Sequence, residues 1–305
     1  ILGLQKRFKM QLRQITQFLE KQFPLSLQED YDNAGLIYGY LEQEIKGSRG
    51  GLDSTEAIVD EAIETGCNLI IAHHPIVFRG LKKLTGKTYI ERVVEKCIRH
   101  QIALYAIHTN LDNHHKGVNH KIAEKLGLIH TRIFRPMNDQ LIKLVVYVPQ
   151  AQFAQVDQAI LGSGAGHIGN YSECHFRSEG IGTFKPEDGA KPALGELHRR
   201  EEVQETKLEY VVATHLLNDV LGAMKLAHPY EEVAYELIRL ENKHQNFGAG
   251  LIGELPEPMD SLDFLKIVKE RFHCGSIKYT DLVHQKIQKI ALCGGAGSFL
   301  VPDAI

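Results

Sequence analysis

Few cysteines, no long apolar run and little excess charge set the first limits on this 305-residue chain. Its five cysteines, Cys67, Cys97, Cys174, Cys274 and Cys293, are odd in number and widely spaced. Without a C-x-x-C pair there is neither a zinc ribbon nor a dithiol redox motif, and buried free thiols in a reducing cytosol are expected. No apolar stretch approaches the roughly 18–20 residues of a membrane span. The N-terminus carries neither the apolar core nor the cleavage site of a secretory leader, so a cytoplasmic protein is expected. Met10 reads as the natural start, with residues 1–9 as an extension. A net charge of −3 speaks against broad electrostatic binding to nucleic acid or a membrane surface. There is no G-x-S-x-G elbow, and no cysteine has a histidine context, so nucleophile schemes built on serine or cysteine find no support. The glycine-rich "GSGAGHIGNYS" lacks the Lys-Ser/Thr of a phosphate-binding loop.

Hydrophobic residues make up 43% and charged residues 24%, ordinary for a globular protein long enough for two domains or for one with an insertion. "QITQFLEKQFP" has helical spacing and stops at Pro24. "STEAIVDEAIETG" is a second helix, with Ser54 or Thr55 as cap and Gly66 at its end. The apolar runs "NLIIA" and "IALYAI" alternate with helices at "TYIERVVEKCIRHQ" and "GVNHKIAEKLGL". Such alternation predicts a mixed, mostly parallel α/β sheet. Before the second helix, "EQEIKGSRGG" (42–51) offers one apolar residue. Either the sheet lacks a strand there or the chain is incomplete.

From about Leu141 the pattern changes to strand, helix, hairpin, helix and strand, the order of a ferredoxin-like α+β module. The hairpin is expected within "ALGELHRREEVQETKLEYVVAT". After the polar link "KHQNFGAG", a helix at "SLDFLKIVKERF" and a strand at "IQKIALCGGAGSFL" return to α/β character. The expected organisation is an α/β domain split over 1–137 and 244–305, interrupted by an α+β insert at 138–243.

The chemistry concentrates at two strand ends. "NLIIAHHPIVF" places His73 and His74 immediately after an apolar run, and Pro75 stops the strand. Adjacent side chains of a strand point to opposite faces, so two neighbouring imidazoles converge only where the strand ends. The second run leads into "HTNLDNHHKGVNH", with His108 and Asp112. Ligands of open parallel sheets bind at the carboxyl ends of strands. Two imidazoles and a carboxylate on one rim suit divalent zinc, iron, manganese or cobalt. A bridging carboxylate would permit two such ions about 3.5–4 Å apart, an arrangement that activates water. His108, Asp53 and Glu56 are candidates for supporting contacts. His114, His115 and His120 read as solvated loop or helix-face residues. "AHPYEEVAYE" offers His228, Glu231 and Glu232 at helical spacing, yet Pro229 favours a polar hinge or subunit contact. "CGGAGSF" after a strand is a weak candidate for a phosphate loop.

"DNAGLIYG", "LDSTEAIVDEAI", "AHHPIVFRG", "HTNLDNHHKGVN" and "CGGAGSF" closely resemble the GTP cyclohydrolase I type 2 family, the NGG-interacting-factor-three-like proteins. The segment "VPQAQFAQVDQAILGSGAGHIGNYSECHFRSEGIGTFKP" with "HPYEEVAYE" is similar to the PII/CutA-like insert of its longer bacterial members. The resemblance implies a dinuclear centre with His73, His74 and Asp112 as ligands, in a toroidal homohexamer built as a trimer of dimers. It implies opening of the guanine ring of GTP, in which a metal-activated water attacks carbon eight and formate leaves. Family members continue past the glycine turn to a His-x-x-x-Glu pair that completes the site, whereas this sequence stops at Ile305. Segments outside it are therefore expected, and three ligands alone would bind metal weakly and catalyse little. The alternative is a non-catalytic ring scaffold or regulator holding a protein or nucleic acid; with this charge balance nucleic acid is the less expected partner.

Overall fold

The computed structural model describes residues 10–305. The reading of residues 1–9 as an extension lies outside them. The described chain divides into two units, one comprising residues up to Arg135 together with Asn246–Ile305, the other Pro136–Gln245.

The first unit opens with β1 (Met10–Gln11) and α1 (Leu12–Gln22), followed by β2 (Gly35–Tyr38), β3 (Glu44–Ile45) and β4 (Ser48–Gly51). Then come α2 (Glu56–Glu64), β5 (Leu69–Ala72), α3 (Tyr89–Arg99) and β6 (Ala103–Ala106). Thr55 and Thr88 cap α2 and α3 by accepting from the N–H groups of Ile58 and Glu91. The sheet runs β2-β6-β5-β4, with β4, β5 and β6 parallel and β2 antiparallel to β6. Alternation assigns its two faces. Leu69, Ala103 and Tyr105 pack with Leu12 of α1, while Ile70 and Leu104 pack with Val59, Ala62, Val93 and Cys97 of α2 and α3. Burying an Ile or Leu side chain in this way contributes roughly 1.5–3 kcal/mol.

The strand in doubt at 42–51 therefore exists. β4 is "SRGG", an edge strand held to β5 by backbone pairing from Ser48↔Leu69 to Gly51↔Ala72. An edge position needs no alternating apolar face, which is why the hydrophobic pattern does not reveal it. Arg49 anchors it to Glu61 of α2 at 3.2 Å.

A short turn of helix, α4 (Thr109–Asp112), then α5 (Val118–Leu126) and β7 (Ile129–Pro136) complete this half of the unit. The second unit holds β8 (Leu141–Pro149), α6 (Phe153–Gly162), β9 (His175–Phe184), β10 (Glu201–Ala213), α7 (Leu217–Ala227) and β11 (Tyr235–Arg239). Its antiparallel sheet runs β11-β8-β10-β9, the ferredoxin-like arrangement, over one core containing Leu144, Val146, Ile160, Leu208, Val220 and Met224. The first arm of the hairpin is β9, upstream of the expected stretch, so residues 185–200 form a long connection.

The chain re-enters the first unit as β12 (Gly248–Asp260), α8 (Ser261–Arg271), β13 (Lys286–Leu292) and α9 (Val301–Ala304). β12 joins the sheet β13-β12-β7. Neither β7 nor β12 was expected. Proline cannot donate to a ladder, and the strand accommodates Pro256 and Pro258 through a register shift between Glu254 and Met259. All five cysteines are unpaired. Cys97 alone is fully buried, its thiol pushed up to about 12 by burial, and the other four are partly exposed.

A candidate metal centre at adjoining strand ends

β5 and β6 are neighbours in register, so their carboxyl ends deliver His73, His74 and His108 to one edge. Beyond β5 the ladder continues for two residues, as the His73 and His74 N–H groups donate to the carbonyls of Gly51 and Leu52. Beyond β6, the Ile107 N–H donates to the Ala72 carbonyl, and α4 begins at once. Its single turn sets Asp112 four residues after His108, on the same side of the turn. One ring nitrogen from each of His73, His74 and His108 lies within 4.8 Å of the others. The Asp112 carboxylate stands 3.8 Å from His73 Nε2.

Each imidazole is fixed through its other nitrogen. His73 Nδ1 donates to the Ile107 carbonyl at 2.9 Å, His74 Nδ1 to Asp53 at 2.8 Å and His108 Nδ1 to Asp32 at 2.7 Å. With Nδ1 protonated, the lone pair available on each ring is that of Nε2. Metal-binding histidines carry this pattern of support, which fixes tautomer and orientation and raises basicity. The donor set therefore fits a borderline divalent ion.

Asp32 has a fully buried side chain. Burial alone would push its pKa up, but hydrogen bonds from His108, Thr109 and the Asn33 and Thr109 backbone outweigh that and hold it below the usual carboxylate range. Asp112 is shifted the other way: burial raises it, and the neighbouring His73 and His108 only partly offset the effect. The two acids thus differ by environment, one saturated with donors and the other not.

Three buried asparagines brace the α4 turn. Asn110 donates to the Phe23 carbonyl, Asn113 to the Leu27 carbonyl and Glu29, and Asn119 to the Asp112 carbonyl. Asn119 also accepts from the Gly294 N–H, tying down the glycine turn after β13. That turn lies beside the site: the Cys293 thiol is raised by burial and then by Asp112. Gly117 permits the return into α5, because a Cβ there would fall 1.7 Å from the Leu111 carbonyl oxygen.

The expected residues do not all take their expected places. His108, foreseen as a supporting group, is the third member of the histidine cluster. Asp53 does support His74 by hydrogen bonding. Glu56 does not reach the cluster; its carboxylate is taken by Arg92 Nε and Nη2 at 2.9 and 2.7 Å. His114 and His115 are half-buried: His114 meets Phe23 edge-on and packs against Phe247, and burial lowers the pKa of His115. His228 is not a helix-face donor. It caps the end of α7, where Nε2 donates to the Tyr147 carbonyl and Nδ1 accepts from the Tyr230 N–H. Asp32 and the asparagines were missed as site residues. Asp32 does open the "DNAGLIYG" stretch, and that was the available signal.

Fold and site together define a split α/β protein, with a ferredoxin-like module inserted, that carries a histidine-rich group able to hold metal. The chain belongs to the Duf34/NIF3 (NGG1p interacting factor 3) family, whose model matches residues 10–305. It is 42% identical over 292 residues to a GTP cyclohydrolase 1 type 2 homolog of Halalkalibacterium halodurans, covering 95% of this chain and 78% of that protein. A Bacillus subtilis protein of the same description is 42% identical over 293 residues, covering 96% and 79%. Among solved structures, a Bacillus cereus protein related to NIF3 superposes with a TM-score of 0.84 at 38% identity, over 97% of this chain and 79% of that one. Among the described residues no helix is long and apolar enough to cross a membrane.

Proposed function

We propose that this protein is a metal-dependent hydrolase acting on a nucleotide, and that its reaction is the ring opening of GTP with release of formate. The observation that carries the reading is the trio His73, His74 and His108, each with Nδ1 held by an acceptor and Nε2 left to coordinate. Asp112 adds an oxygen donor beside His73 and would join the three imidazoles in holding divalent metal. A divalent ion supplies Lewis acidity and makes hydroxide available as a nucleophile near neutral pH. Asp32 and Asp53 keep the imidazoles in one tautomer, so that donor geometry does not have to be reorganised on binding. Phe78, 42% exposed, lies edge-on to His108 with centroids 6.3 Å apart, and the 65% exposed Tyr31 lies beside Phe78. Two exposed aromatic rings next to the donors give a flat heterocycle a surface to stack on. The names of the Halalkalibacterium and Bacillus relatives point to the same substrate.

Metal analysis of the purified protein followed by formate release from GTP tests the reading. Loaded protein that releases formate supports it. Loaded protein inert toward GTP and other purine nucleotides overturns the hydrolase assignment and leaves the scaffold alternative. Assembly as a homohexamer, a trimer of dimers, belongs to the same proposal; a solution mass far below six 34.3 kDa chains would remove it.

A further inference from the structure

We infer that the inserted module carries a second binding site, for a small organic cation with an apolar body, in a cavity floored by Glu205. The cavity has a volume of about 670 Å³ and lies within the module. That size is in the range of small-molecule sites. Its walls are largely apolar, from Ile181, Phe184, Pro186, Ala193 and Leu194, with Tyr230 completing one side.

Glu205, on β10, is 8% exposed. One carboxylate oxygen accepts from the Tyr230 hydroxyl at 2.9 Å. Burial and the Glu205 contact hold the Tyr230 phenol well above its ordinary pKa, so it stays a donor. The other oxygen lies flat against β9 at Gly182, where a Cβ would come within 2.0 Å of it. Any side chain at 182 would evict the carboxylate, so the glycine keeps it in place. Among the described residues no cation pairs with Glu205. The two lysines of the wall have carboxylates of their own: Lys207 meets Glu209 at 2.5 Å and Lys185 meets Glu187 at 3.1 Å. A buried carboxylate with one hydrogen bond and no counter-charge is costly to desolvate. A ligand that brings an ammonium or amidinium to it, and fills the apolar volume behind it, offsets that cost.

The site also accounts for "AHPYEE". His228 pins the turn after α7 by donating to Tyr147 and accepting from Tyr230, and the turn presents Tyr230, Glu231 and Glu232 to the cavity. Glu231 in addition accepts from the Lys191 N–H, closing the long connection of the hairpin over one flank.

Calorimetric titration of the full chain with phenethylamine, phenethyl alcohol and 3-phenylpropionate tests the inference. The three probes share a ring and differ in charge. The amine is expected to bind, the alcohol about tenfold or more weaker, and the carboxylate not at all, since a charge-assisted hydrogen bond is what separates them. Glu205→Gln should weaken the amine by about tenfold or more while leaving the alcohol unchanged. Leu194→Trp, which fills the cavity and keeps Glu205, should abolish binding of both. Unfolding curves that match the unaltered protein show that the variants are folded. The inference fails if the amine does not bind at millimolar concentration, if alcohol and amine bind equally, or if folded variants bind like the unaltered chain.

Discussion

The two units use their sheets in different ways. In the α/β unit, parallel β5 and β6 end side by side, and the histidines issue from those ends as a convergent group. In the inserted module the strands are antiparallel, so neighbouring ends point in opposite directions and no such rim forms. Its cavity arises instead at the flank of a hairpin, where a buried carboxylate meets a long connection. Packing follows the same division. The α/β sheet is clad on both faces by separate clusters, whereas one cluster fills the module. Strand direction thus decides whether functional groups gather at an end or along a side.

Substitutions in either unit can break this contrast, and the largest effect is expected at the cluster. His73→Ala or His108→Ala should reduce bound metal to background by elemental analysis, with circular dichroism unchanged. Retention of metal by the His108 variant would return that residue to a supporting role. Next come the cores. Ile70→Ala and Leu144→Ala, both fully buried, should each cost about 2–5 kcal/mol in denaturant unfolding. Only Ile70→Ala should also lower metal affinity, because Ile70 lies on the strand that carries His73 and His74. Equal effects on metal from both would mean that the two units do not act separately. Asp32→Asn tests the supporting shell: metal affinity should fall by about 10–100-fold with the fold intact.

A pH effect should appear in both units, through His228 and His215 in the module and His115 in the α/β unit. Burial holds His228 and His215 below the ordinary imidazole value of 6.5. As pH falls below that value the unfolded chain takes up protons that the folded one refuses, so stability declines toward the folded pKa and is complete above 6.5. Thermal unfolding from pH 7.5 to 5 should show this decline, and a His228→Gln, His215→Gln pair should reduce it, leaving the share of His115. The smallest effect belongs to Glu56→Ala. Its pairing with Arg92 is half-exposed, so a loss below about 1 kcal/mol is expected, with no change in metal content. A change in metal content would reinstate Glu56 as a supporting group.

The alternation of apolar runs and helices, the change of pattern near Leu141 and the placing of imidazoles after β5 and β6 were all readable along the chain. They are local: apolar periodicity, a proline stop and cap residues act within a few positions. Other features escaped for a common reason. β4 is held by backbone pairing at an edge, and β12 tolerates two prolines because a partner strand shifts register around them. Neither leaves a side-chain pattern. Asp32 and Asn113 look like ordinary loop residues until chain 76 or more positions away closes on them.

Which residues could coordinate, and where the chain must turn, follows from side-chain chemistry and local backbone preference, which travel with each residue. Tertiary packing settled that His108 joins His73 and His74, that Arg92 holds Glu56, and that a buried carboxylate lies beneath the apolar walls of the module. Those outcomes depend on distances between residues remote in sequence, and packing and strand pairing fix such distances.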